Sequence, residues 1–100
     1  MENEKENYFE LGRVVITRGL DEAMKHNPEA QREVVEAFNR YKGQDWGDLD
    51  EDDKQLNDEA IKSGQDRILA RYEINSLNDD IYIITEWDRS ATTLLFCNEC

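Results

Sequence analysis

One hundred residues, 38% of them hydrophobic, make a single small domain with room for one core and not for two. Against 12 Lys and Arg stand 24 Asp and Glu, a formal charge of -12, so the chain's field repels nucleic acid and anionic membrane and attracts basic proteins or cations. No apolar run approaches the roughly 18 residues of a membrane span. The opening Met-Glu-Asn-Glu-Lys-Glu-Asn also lacks the basic and apolar regions of a signal peptide, which points to the cytosol.

Residues 1–7 alternate acids with polar groups and read as a solvated acidic tail, leaving 8–100 as the domain. The β-branched run Val14-Val15-Ile16-Thr17 follows Phe9 and Leu11 and stops at Gly19, predicting a first strand within Tyr8 to Arg18. Asp21 can cap a short helical turn from Glu22 to His26. Asn27-Pro28 is a strong helix start, and Ala30, Val34, Ala37, Phe38 and Tyr41 recur on one face of a helix that ends before Gly43. A second main helix is expected from about Asp50 to Ser63, with Leu49, Leu56 and Ala60 on its buried side and Gly64 as its stop. Three β-rich runs follow, Arg67 to Ile74, Ile81 to Trp87 and Thr92 to Cys97, joined by connections too short for anything but antiparallel neighbours. The order β-α-α-α-β-β-β argues an α+β fold, an antiparallel sheet with helices on one face.

The densest chemistry lies between Gly43 and Glu59, where Asp45, Asp48, Asp50, Glu51, Asp52, Asp53, Asp58 and Glu59 crowd together. Capping by Asp50 and a first turn of Glu51, Asp52 and Asp53 account for part of this, because carboxylates are favoured at a helix N-terminus. The surplus is the main functional signal. A calcium-loop spacing of Asp48, Asp50, Asp52 and Glu59 is superficial, since the sixth place is Asp53 rather than Gly and the seventh and ninth, Lys54 and Leu56, fall inside the expected helix.

Cys97 and Cys100 have the gap of a zinc half-site, but one monomer adds only His26, so a site would need a bridged dimer; the plainer reading is a strand-end hydrophobe and a tail cysteine. Glu86, Asp88, Arg89 and Ser90 gather carboxylates, a guanidinium and a hydroxyl around one turn. Ordinary turn formation and an Arg89 ion pair explain them, and no histidine or second base lies nearby in sequence. Trp46 and Trp87 both sit beside acids; burial is the usual fate of Trp in a small domain, and an exposed one would be the best interface anchor.

Two segments together carry a resemblance. Gly43-Gln44-Asp45-Trp46-Gly47-Asp48-Leu49, followed by Glu51-Asp52, Asn57, Ala60 and Gly64, and then Ile84-Thr85-Glu86-Trp87-Asp88-Arg89-Ser90-Ala91-Thr92-Thr93-Leu94-Leu95-Phe96, resemble a family of small proteins of plasmids and integrative elements. The start Phe9-Glu10-Leu11-Gly12-Arg13-Val14-Val15 also matches. Members are often labelled restriction-system subunits, although they are too small for a methyltransferase or nuclease and carry no cofactor motif. Where members end in a Pro and an aromatic residue, this chain has Cys97 and Cys100.

Such a setting implies counter-defence. The leading expectation is an inhibitor of a host CRISPR or restriction nuclease, with Asp45, Trp46, Asp48, Asp50, Glu51, Asp52, Asp53, Asp58, Glu59, Glu86 and Asp88 as its partner-binding residues. Nucleases grip nucleic acid through Lys/Arg-lined channels, and a compact acidic protein competes for them. The expectation includes no enzyme activity, no metal or cofactor, no direct nucleic-acid or membrane binding, and either a monomer or a dimer. The rivals are a regulatory interaction module whose acidity serves solubility, and a small enzyme using Glu86 and Asp88.

Overall fold

A computed structural model of the chain describes residues 9–99; the expected acidic tail and Cys100 lie outside them. The elements run β1 (Arg13–Ile16), α1 (Arg18–Met24), α2 (Pro28–Lys42), α3 (Glu51–Ser63), β2 (Ile68–Ile74), β3 (Asp79–Thr85) and β4 (Ala91–Phe96), with short 3-10 turns at Asn75–Leu77 and Cys97–Glu99. This is the α+β order that the sequence predicts. Among the described residues no helix is long and apolar enough to cross a membrane.

The last three strands form the expected antiparallel meander, with Ala70 opposite Ile83 and Ile83 opposite Leu94. The sheet as a whole is mixed, however, in the order β1-β4-β3-β2, because β1 lies parallel to β4 with Val15 opposite Thr93. A parallel neighbour requires a long crossover, and three helices with a hairpin supply one here. Alternation along the strands sends Ile68, Ala70, Tyr72, Ile74, Ile81, Ile83 and Leu94 into the core, where Ala30, Val34, Ala37 and Tyr41 of α2 meet them. Phe38 packs half-buried against this core.

Local signals set the helix ends. Thr17, not Asp21, caps α1, so that helix starts earlier than Glu22, and Leu20 becomes its buried residue. Asn27 caps α2 by accepting from the N–H of Ala30, and Asp50 caps α3 by accepting from the N–H of Asp53. Gly64 ends α3 in the left-handed region at φ 71, a conformation that costs glycine little.

The expected inward face of α3 is corrected by one position. Leu56 is 61% exposed, while its neighbour Asn57 is buried. The outer edge of β2 explains the exchange. Asn57 Nδ2 donates to the Leu69 carbonyl at 2.8 Å, and the Leu69 N–H donates to Asn57 Oδ1 at 3.1 Å, so one side-chain amide stands in for a neighbouring strand. The segment around Gly47 covers the next stretch of that edge through a parallel bridge to Arg71. Gly47 is required there: its φ is 75, and a Cβ would collide with the Arg71 carbonyl and the Tyr72 ring.

A buried hydroxyl relay ties the layers together. Thr92 Oγ1 donates to the Leu11 carbonyl at 2.7 Å, so its only proton is used. In the 2.7 Å contact with Thr85, Thr85 must then be the donor, and in the 2.7 Å contact of Thr85 with Tyr41 the donor must be Tyr41. The relay Tyr41 to Thr85 to Thr92 to Leu11 runs one way and links α2, β3, β4 and the segment before β1. No buried side-chain polar atom among the described residues lacks a partner.

Candidate interaction surface

Trp46 is a core residue, 3% exposed, which removes it from the expected partner-binding set. Its ring meets Phe9 at 6.0 Å and Tyr41 at 5.6 Å between centroids, in tilted and edge-on geometry. The indole N–H donates to Asp58 Oδ1 at 3.0 Å, so the polar tip of a buried ring is satisfied by an acid on the surface of α3. The acid beside Trp46 in the sequence, Asp45, is also engaged: Arg40 Nε donates to it at 2.9 Å, and its carboxylate accepts from the Gly47 N–H. The hydrogen bond from Arg40 holds the Asp45 carboxyl below its ordinary value.

Asp48, Asp50, Glu51, Asp52, Asp53, Asp58 and Glu59 are all exposed. Within α3, Glu51, Gln55, Asp58, Glu59 and Lys62 recur at helical spacing on the side away from Asn57 and Ala60. Among the described residues, only Glu51 of these α3 carboxylates reaches a cation, Lys54 Nζ at 3.9 Å, a separation typical of a weak surface pair.

Glu86 and Asp88 are exposed on the turn between β3 and β4, and Trp87 between them is 62% exposed. The Arg89 N–H donates to the Glu86 carbonyl at 2.9 Å, and Arg89 itself holds φ 62, a left-handed conformation that an arginine adopts at a cost. The expected ion pair of Arg89 with Glu86 or Asp88 is absent among the described residues. Instead Arg89 Nη1 donates to the carbonyls of Asp66, Glu86 and Trp87 at 2.6, 3.2 and 3.2 Å, and Nη2 to the Ala60 carbonyl at 3.0 Å. The guanidinium thus caps the C-terminal end of α3 and fixes the turn against it. Asp88 accepts from the Ser90 N–H at 3.0 Å, and hydrogen bonding from Ser90 lowers its carboxyl below the ordinary value.

The hydroxyls of Thr85 and Thr92 are consumed in the buried relay, whereas Ser90 lies in the turn itself with its side chain hydrogen-bonded to the Asp88 carboxylate. The described residues contain no group of three or more His, Cys, Asp or Glu arranged to hold a metal ion. Cys97 is half-buried, and burial raises its thiol above the ordinary value. Two placements differ from the sequence expectation: Leu56 is exposed rather than buried, and Arg89 binds backbone carbonyls rather than a neighbouring carboxylate. No protein-family model, curated protein or solved structure matches the chain.

Proposed function

We propose that the protein is a mobile-element counter-defence factor that occupies the nucleic-acid channel of a basic host protein, a CRISPR or restriction nuclease, through its acidic surface. The observation that carries the reading is α3: a capped helix with exposed Asp50, Glu51, Asp52, Asp53, Asp58 and Glu59, next to Asp48, with a single weak cation contact among the described residues. Carboxylates whose charge no internal cation neutralises favour an external positive surface. The buried aromatic cluster, the amide-covered strand edge and the cap by Arg89 hold that helix rigid, so little ordering cost falls on binding. Trp87 takes the anchor position expected of an exposed Trp, and Glu86 and Asp88 flank it. The resemblance to small proteins of plasmids and integrative elements supports the same reading.

The test is a pull-down with the full chain from a bacterial lysate at low and high salt. The reading expects a basic, nucleic-acid-binding nuclease that is retained at low salt, released at high salt and displaced by added duplex DNA. Capture of acidic or neutral proteins, unaffected by salt or DNA, supports the regulatory-module reading instead.

A further inference from the structure

The exposed position of Leu56 has a neighbourhood that gives it a purpose. Between α3 and β2 runs an open cleft of about 490 Å³, in which Leu49, Leu56 and Leu69 provide the apolar surface and Asp53, Asp66 and Arg67 the charged rim. The cleft has fixed walls. Asn57, one residue after Leu56, is bonded twice to the backbone of Leu69, and Arg89 holds the Asp66 carbonyl at 2.6 Å. A leucine so exposed forgoes about 1.5–3 kcal/mol of burial that the helix could have gained by turning it inward. The helix cannot do so, because Asn57 takes the inward place.

We propose that this cleft receives an apolar side chain from a basic, amphipathic segment of the partner, so that the protein binds a Lys/Arg-rich sequence interrupted by Leu, Ile, Met or Phe rather than positive charge alone. Complementary charge surrounds the apolar floor. Asp53 and Asp66 stand on the rim, and Glu51, Asp52 and Glu59 continue the negative field along α3, while Arg67 is the one cation of the lining. Cationic side chains therefore fit on the Asp53 side and are disfavoured beside Arg67. The proposal rests on the reading of the partner as a basic protein and adds to it a residue-level anchor site.

The probes are two synthetic peptides of equal positive charge and about twelve residues, long enough to span a cleft of this size in extended form. One contains only Lys, Gly and Ser; the other carries two central leucines flanked by lysines. Each is titrated into the isotope-labelled full chain at about 0.15 M salt, where screening sets in beyond about 8 Å, and amide shifts are followed by NMR. The leucine peptide is expected to bind about 10-fold tighter, the worth of one largely buried aliphatic side chain, with shifts centred on Leu49, Leu56 and Leu69. Leu56→Ser, at an exposed site whose folding the same spectra report, should erase the difference, and Arg67→Glu should tighten the leucine peptide several-fold.

Equal affinity of the two peptides overturns the cleft as an anchor while leaving the acidic-surface reading intact. Absence of binding by both overturns the two together. Shifts at Leu56 that grow with protein concentration in the absence of peptide make the occupant a second copy of the chain and also overturn the proposal.

Discussion

Trp46 and Trp87 share a side chain and sit in opposite environments, which makes them a matched pair of probes. Trp46 is enclosed by Phe9 and Tyr41 and donates to Asp58, so Trp46→Ala should cost about 3–5 kcal/mol in urea unfolding, a large share of the stability of a domain this size. Trp87→Ala removes a ring that is 62% exposed and should change stability by no more than about 0.5 kcal/mol, while raising the dissociation rate of any complex that uses the turn. The two buried tyrosines carry a pH prediction. Burial raises both Tyr41 and Tyr72 above the usual phenol value, so the folded state keeps its protons where the unfolded state begins to lose them, near pH 10. The unfolded chain then binds fewer protons than the native one, and stability falls with rising pH. It should be flat with respect to these groups below about pH 10 and decline above it, through the raised folded values. Urea midpoints measured from pH 8 to 12 check this, and Tyr72→Phe should flatten the decline.

At the scale of elements, α3 makes the separable claim. Replacing Asp50, Glu51, Asp52 and Asp53 by Asn or Gln should leave circular dichroism and the unfolding midpoint nearly unchanged, because exposed substitutions shift stability by no more than about 0.5 kcal/mol each and Asn caps as well as Asp. Arg89→Ala is the contrasting change. It removes charged donors from four carbonyls, one of them at the end of α3, and should destabilise the domain by about 2 kcal/mol and loosen the turn that carries Trp87. Both outcomes can be read in one denaturant series. The two longer helices were legible in the sequence because their signals are local: Asn27 before Pro28, Asp50 before a run of acids, and Gly64 after Ser63 each act within one turn. Leu56 was not legible, because its exposure follows from the needs of a strand edge twelve residues further on, which Asn57 satisfies. Helical periodicity ranks a leucine above an asparagine for burial and carries no information about an edge that needs covering.

For the molecule as a whole, the antiparallel meander was legible from connection length, whereas the parallel place of β1 beside β4 was not, since strand order across three helices leaves no mark on local composition. The charge of -12 was legible as a total, but its availability was not: Asp45 is committed to Arg40 and Asp80 to Arg71, while the acids of α3 remain open to solvent. That distribution makes the account depend on long-range attraction, which salt weakens, rather than on overall acidity. The most direct measurement is competition for a nuclease channel: the full chain displacing labelled duplex DNA from restriction and guide-loaded CRISPR nucleases, followed by fluorescence anisotropy at low and high salt, beside the variant neutralised at Asp50, Glu51, Asp52 and Asp53. Displacement from at least one such nuclease is expected at low salt and its loss at high salt, with slower association and weaker competition by the folded neutralised variant. Equal displacement by wild type and variant at low salt, or no displacement from any of them, would contradict the counter-defence reading.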